Sequence, residues 1–190
     1  WRGRRLMLAN GLTATPTLRR VLEGMADAPY DGAEPSPAWY AQLARVMRAA
    51  YAERLEGLGE SEPRAAESCT THLTVVDAEG NMVAMTTTLL SSMGSRVVLP
   101  RTGVLMNNGV MWFDPRPGTP NAIAPGKRPL TNMCPVIATS ERGGGPEIAC
   151  GASGGRRIMA AVFQMLSLVA DFGMDPERAA HHPRIDVSGP

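Results

Sequence analysis

A chain of 190 residues, 44% of them hydrophobic, has enough apolar material for one sizeable core or for a domain with an appended helical piece. Its 19 basic and 18 acidic residues are scattered and leave a net charge of +1, which excludes the concentrated basic footprint of a nucleic-acid or anionic-membrane binder. No apolar run approaches the ~20 residues that span a bilayer, and Cys69, Cys134 and Cys150, an odd number without CxxC spacing, argue against a disulfide framework and a zinc site.

The chain opens on Trp1 with no charged-then-apolar leader, and composition leaves its compartment open between cytoplasm and periplasm. RGRR, Arg2 to Arg5, reads as a solvated basic end. NGLTATPT from Asn10 is a loop, followed by a short helix from about Leu18 to Met25 that Asp27-Ala28-Pro29 ends. The linker PYDGAEPSP leads to Ser36-Pro37, an N-cap and a first-turn proline. Trp39, Leu43, Val46, Met47, Ala50, Tyr51 and Leu55 then recur at helical spacing up to Gly57. That stripe is core packing and carries no chemistry. Gly59 to Cys69 is charged and irregular, an exposed linker. Strands are predicted over Thr71 to Val76, Met82 to Leu89, Gly103 to Met106, Met133 to Thr139 and Glu147 to Cys150, before a last helix from about Arg157 to Asp171 with Gly173 as its stop. Two helices, a run of strands and a helix predict an α+β layered domain with no internal repeat.

Within the strand region, Cys69-Thr70-Thr71 and Thr86-Thr87-Thr88 gather hydroxyls at one end of a hairpin. A Thr-rich strand is ordinarily only a strand. Here the register adds chemistry. Asp77-Ala78-Glu79-Gly80-Asn81 is a turn cluster, and a loop centred on Glu79 pairs Val76 with Met82, Thr74 with Ala84, His72 with Thr86 and Thr70 with Thr88. Thr70 also stands where an exposed linker meets a strand, a place from which a peptide bond can be reached and cut. A threonine hydroxyl is a weak nucleophile unless a base takes its proton, and the amine freed by cutting just before it can be that base. Cys69-Thr70 is therefore expected to be a self-processing site. Thr70 becomes the nucleophile, with Thr88 holding its hydroxyl in line.

GASGGRR, Gly151 to Arg157, joins the strand ending at Cys150 to the last helix. Such a loop presents unpaired N–H groups that suit an anion. It lacks the GxxxxGK[ST] pattern of a phosphate loop. A tight turn that needs glycine explains it as well as an oxyanion site does, until it is paired with a nucleophile; then Gly154 and Gly155 become candidate oxyanion donors. His72 and the pair His181-His182 are read as structural, since an N-terminal amine makes a histidine base redundant and adjacent histidines lack the i, i+4 spacing of a helical metal pair.

Thr70-Thr71-His72 with VVDAEGN and the Thr88 partner, Asn107-Asn108, PGKRPL at Pro125 to Leu130, and GASGG at Gly151 to Gly155 resemble the ordered motifs of the γ-glutamyltransferase family. The likeness extends more loosely to MRAAYAERLEGLG before them. It implies an N-terminal-nucleophile hydrolase with an αββα sandwich, represented in part, made as a precursor that cuts itself into two subunits. Residues 1–69 would end the large subunit and 70–190 would form most of the small one. Carried over by position, the resemblance makes Thr70 the nucleophile, Thr88 its partner and Gly154 and Gly155 the oxyanion donors. It puts Asn108, Gly109, Trp112, Thr131 and Asn132 at the substrate. Thr131-Asn132 replace the Ser-Ser pair that holds the substrate carboxylate, and Gly109 and Trp112 replace an amide or acid and an Asp that hold the α-amino group. The implied activity is hydrolysis or transfer of a γ-glutamyl or other acyl group from a glutathione-like amide, with no metal and no cofactor, in partnership with the rest of the large subunit. An acylase for glutaryl-type groups lacking the α-amine, as in the related cephalosporin and glutaryl acylases, and a non-catalytic assembly fragment are the alternatives.

Overall fold

The computed structural model of the protein describes residues 1–30, 32–59 and 69–189. Along the chain run β1 (Arg4–Leu8), α1 (Thr15–Gly24), α2 (Pro37–Gly57), β2 (Thr70–Val76), β3 (Met82–Thr88), a 3-10 turn (Gly109–Trp112), β4 (Val136–Ser140), β5 (Pro146–Cys150), α3 (Arg157–Ala170) and α4 (Pro176–His181). The mixture is α+β, as the sequence predicts. The expected linker from Gly59 to Cys69 falls, apart from its two ends, outside the described residues. No helix among the described residues is long and apolar enough to cross a membrane.

The helices form for the reasons legible in their sequences. The Ser36 hydroxyl accepts from the Trp39 N–H at 3.2 Å and Pro37 fills the first turn of α2, so one orphan donor is satisfied and one is absent. Trp39, Leu43 and Met47 then lie at 2% exposure or less, facing Leu18 and Val21 of α1 and Ile158, Val162 and Phe163 of α3. Trp39 stacks on Phe163 at 6.3 Å between centroids, and Trp1 meets the same Phe163 edge-on at 6.0 Å. Val136 and Ala138 of β4 complete this core from the sheet. Residues on both sides of Thr70 thus build one core.

Antiparallel pairing orders the larger sheet β1-β4-β5. β1 was not expected. RGRR is no solvated end: Arg4 and Arg5 belong to β1, Arg4 pairs with Glu147 at 2.9 Å, and the Arg2 guanidinium lies 3.8 Å over the Tyr30 ring while donating to the Ala28 carbonyl at 3.0 Å. A five-residue edge strand is created by its partner β4, which local periodicity does not reveal. α4 is likewise too short to show a period; Asp175 caps it by accepting from the Arg178 N–H at 2.8 Å. The strand expected over Gly103 to Met106 is instead a tight turn with one bridge between Val98 and Leu105. β4 starts at Val136 rather than Met133. The preceding residues bond across to another loop, Thr131 N–H to the Leu12 carbonyl at 2.8 Å and Ala14 N–H to the Met133 carbonyl at 3.1 Å.

β2 and β3 form a separate two-stranded ribbon, and β3 approaches β4 and β5. Its register is the expected one, from Thr70 opposite Thr88 to Val76 opposite Met82. Asp77 fixes the turn, its carboxylate accepting from the N–H groups of Glu79 at 3.1 Å and Asn81 at 2.8 Å. One face carries Thr70, His72, Thr86 and Thr88 inward. The other leaves Leu73, Val75, Val83 and Met85 between 37% and 53% exposed.

The α1–α2 contact offers a test of packing against propensity. Gly24 closes α1, and a methyl group there would lie 2.6 Å from Val46 Cγ1 and 2.9 Å from Cγ2, on a β-branched side chain that cannot swing away within a helix. Gly to Ala in a helix ordinarily gains ~1 kcal/mol. Gly24→Ala should instead destabilise by about 1–3 kcal/mol in chemical denaturation. Adding Val46→Ala should return part of that loss.

Candidate active site

The inward face of the hairpin ends in a hydroxyl pair. Thr70 Oγ1 donates to Thr88 Oγ1 at 3.1 Å, and Thr88 Oγ1 also accepts the Leu90 N–H at 2.9 Å. Thr88 is only 9% exposed. Leu90 is held at φ +70°, a left-handed conformation that costs a non-glycine residue about 1–3 kcal/mol and turns the chain sharply off the strand end. Just before Thr70, the Cys69 carbonyl accepts from the Leu89 N–H at 3.2 Å. The nucleophile candidate, its hydroxyl partner and a polarised peptide carbonyl therefore occupy one strand end.

Leu89 also anchors the next motif. Its carbonyl accepts the Asn108 N–H at 3.0 Å, and the Asn108 side chain reaches Ser91 Oγ at 3.4 Å and Met111 Sδ at 2.8 Å. Gly109 N–H donates to Asn107 Oδ1 at 3.2 Å, and the Trp112 ring covers Gly109 so closely that an added Cβ would sit 3.1 Å from Cζ3. Gly109 and Trp112 are thus one unit, a bare backbone under an indole.

The glycine loop meets the hairpin through His72. The imidazole packs on Gly151, where any Cβ would overlap the ring, and its nitrogens bond Thr86 Oγ1 at 2.9 Å and Thr74 Oγ1 at 3.3 Å. His72 thus joins the two motifs through packing and hydrogen bonds. Gly154 and Gly155 follow at φ +126° and +60°, conformations that favour glycine. Their carbonyls accept the Arg157 and Ile158 N–H groups at 3.2 Å each, and their own N–H groups have no acceptor among the described residues. Behind the loop, burial pushes the Cys150 thiol up to about 11 and Cys134 up to about 12, so neither supplies a thiolate at neutral pH. His181 and His182 end α4, away from these contacts.

Thr131 and Asn132 are held from the other side. Thr131 spends its hydroxyl proton on the Leu12 carbonyl at 3.2 Å, which leaves the hydroxyl oxygen only as an acceptor. Arg54 of α2, 1% exposed, donates through Nη2 to the Thr131 carbonyl and to Asn132 Oδ1, both at 2.8 Å. Sequence reasoning missed Arg54. The available signal was its place on the buried stripe of α2 after Met47, Ala50 and Tyr51, where a charged residue needs a reason.

Comparison with known proteins now decides the family, because the profile of gamma-glutamyltranspeptidases matches residues 35–188. The chain belongs to the gamma-glutamyltranspeptidase family. Among curated relatives of that family, it is 37% identical over 156 residues to the acylase ACY 1 proenzyme of Pseudomonas sp. (strain SE83), covering 77% of this chain and 28% of that protein. It is 38% identical over 119 residues to the glutathione hydrolase proenzyme of Bacillus subtilis (strain 168), covering 63% of this chain and 20% of that protein. The chain therefore spans less than a third of these gamma-glutamyltranspeptidase-family relatives. Its fold matches the crystal structure of cephalosporin acylase from Bacillus halodurans with a TM-score of 0.76 at 22% identity, over 96% of this chain and 39% of that one.

Burial lowers the His72 pKa below its ordinary 6.5. The unfolded chain then takes up the proton first, so this contribution to stability is complete above about pH 6.5 and is lost as pH falls through the folded pKa. The melting-temperature difference between the wild type and His72→Gln should shrink between about pH 7.5 and 5. A pH-independent difference would show that the imidazole is not held neutral.

Proposed function

We propose that this chain carries the catalytic centre of an autoprocessed amide hydrolase or acyl transferase with Thr70 as N-terminal nucleophile. The observation that carries this is the Thr70–Thr88 hydroxyl pair at 3.1 Å, one residue from a carbonyl that already accepts a backbone N–H. In processing, Thr70 Oγ1 attacks the Cys69 carbonyl carbon, and the Leu89 N–H steadies the oxygen as it gains charge. The Cys69–Thr70 C–N bond breaks as the nitrogen takes a proton, leaving an ester that water hydrolyses. The freed α-amine, with an ordinary pKa of about 7.7–8.0, then serves as the base for Thr70. The amine takes the hydroxyl proton as Thr70 attacks a substrate amide and returns it to the leaving amine. Gly154 and Gly155 N–H groups receive the oxyanion. Water or a second amine releases the acyl group. Residues 1–69 then belong to the large subunit and 70–190 to the small one, which share the core described above.

For the substrate, the Thr131-Asn132 pair receives a carboxylate of the acyl group through Asn132, because the Thr131 hydroxyl proton is committed to Leu12, and Asn108, Gly109 and Trp112 face the same end, where a γ-glutamyl group carries its α-ammonium. The family's glutathione-type substrates carry an α-ammonium. A bare glycine under an indole supplies no carboxylate for it, and a buried ammonium left unpaired costs several kcal/mol. An indole face attracts a cation by ~0.5–2 kcal/mol, which offsets part of that cost. The Gly109–Trp112 unit therefore favours the second reading, an acylase for glutaryl-type groups.

Mass spectrometry of the full-length protein should find a fragment beginning at Thr70. Thr70→Ala should abolish both the cut and amide turnover; turnover by an uncut chain would sink the mechanism and leave an assembly role. Thr88→Val keeps the shape and removes the hydroxyl, with an expected loss of about 10- to 1000-fold in kcat.

On processed enzyme, kcat/KM for glutaryl-p-nitroanilide should equal or exceed that for γ-glutamyl-p-nitroanilide. A strong preference for the γ-glutamyl compound would place the ammonium partner elsewhere in the protein.

A further inference from the structure

Arg54 lies on α2, outside the hairpin, the glycine loop and the other motifs that carry chemistry. We propose that it is a positioning residue for acyl-group choice: it turns the Asn132 side-chain amide so that both N–H donors face the substrate, and so selects acyl groups that end in a carboxylate. The inference rests on the reading that Thr131-Asn132 receive that carboxylate.

The argument begins with the chemistry of the guanidinium. It has five N–H donors in a planar fork, no acceptor, and a charge that it keeps at any physiological pH. Only oxygen can face it. Its Nη2 lies 2.8 Å from Asn132 Oδ1 and 2.8 Å from the Thr131 carbonyl, while Nη1 reaches the Thr13 carbonyl at 3.2 Å and Thr17 Oγ1 at 3.4 Å. The two ends of an asparagine amide are nearly indistinguishable by shape, and their assignment follows from the hydrogen-bond network. Here a donor-only neighbour settles it: the oxygen points at Arg54 and the NH2 group points away.

The same contacts divide the labour between the two residues. Thr131 has one hydroxyl proton and gives it to Leu12. Asn132 Nδ2 has no partner among the described residues, and the side chain is half-buried rather than sealed. Asn132 is therefore the residue of the pair with donors to offer an anion. Arg54 stands directly behind it at 1% exposure, where water screens its charge little. The guanidinium polarises the amide, strengthening its outward N–H groups. Because one NH2 group serves both Thr131 and Asn132, a shift of Arg54 moves backbone and side chain together.

A purely structural Arg54 that only ties α2 to the 12–17 and 131–133 loops would affect stability and every substrate alike. Paired acyl substrates separate the roles. Glutaryl- and valeryl-p-nitroanilide have five-carbon acyl groups with and without a terminal carboxylate, and the ratio of their kcat/KM values in the full-length processed enzyme reads carboxylate selection. Asn132→Ala should lower that ratio by about 10- to 100-fold, mainly through KM for the glutaryl compound. Asn132→Asp keeps an oxygen toward Arg54 and loses the donors, so it should lower the ratio at least as far. Arg54→Lys keeps the charge and loses the fork, and should lower the ratio about 3- to 30-fold in wild-type background and not at all in Asn132→Ala.

A wild-type ratio in folded Arg54→Lys, or an undiminished Arg54→Lys effect in the Asn132→Ala background, overturns the role of Arg54 alone. A wild-type ratio in Asn132→Ala overturns the carboxylate reading of Thr131-Asn132 and the inference with it. Should Arg54→Lys fail to fold, Asn132→Asp still decides, because a wild-type ratio there means that outward N–H donors are not the selecting feature.

Discussion

The ladder between β2 and β3 admits one register, and the proposed chemistry hangs on it. Side chains alternate faces along a strand, so a slip of one residue would turn Thr70 toward Leu73's side and leave Leu73 to meet the glycine loop. Two restraints hold the pairing. At the closed end, Asp77 accepts from the backbone of Glu79 and Asn81 and fixes the loop length. Midway, His72 seats on Gly151 and bonds Thr86 across the ribbon, so the imidazole works as a key that fits in one position only. The hydroxyl pair at the open end is the remote result of both.

This hierarchy explains which parts were legible in the sequence. The hairpin register could be read because turn residues and strand period are local quantities, and each pointed to the same pairing. α2 announced itself through its cap, its proline and its stripe. β1 did not, because five residues with arginines at two of them become a strand only when β4 is beside them. The start of β4 was misplaced for a related reason: Thr131 and Met133 bond to Leu12 and Ala14, a choice made by tertiary structure. At the candidate site, the motif residues stand out because unusual residue types gather at a strand end and in glycine-rich loops. Arg54 does not show in the sequence because only the apolar residues of α2 mark its stripe, and the burial of a charged residue beside them appears only in the fold.

Arg54 and His72 illustrate a common division of roles. Neither lies among the groups expected to touch the reacting bond, yet each joins two motifs far apart in sequence, α2 to the 131–132 segment and the hairpin to the glycine loop. The core does the same on a larger scale, with Trp39 stacked on Phe163 across the Cys69–Thr70 junction. A cut at that junction would therefore separate covalently what packing holds together, and the new chain end would remain pinned by seven ladder pairs.

The outward face of the ribbon points to a practical property. Leu73, Val75, Val83 and Met85 form a contiguous apolar strip beside the hydroxyl-lined face, each between 37% and 53% exposed. Such a strip on a chain with a net charge of +1 meets little electrostatic repulsion between molecules. For these 190 residues on their own, colloidal behaviour then becomes sensitive to the solvent: kosmotropic salts such as sulfate drive the strips together and precipitate the chain early, while low salt and a pH well away from the isoelectric value near 8.0 keep it dispersed. Purification conditions for this chain are written into the back of the β2–β3 hairpin.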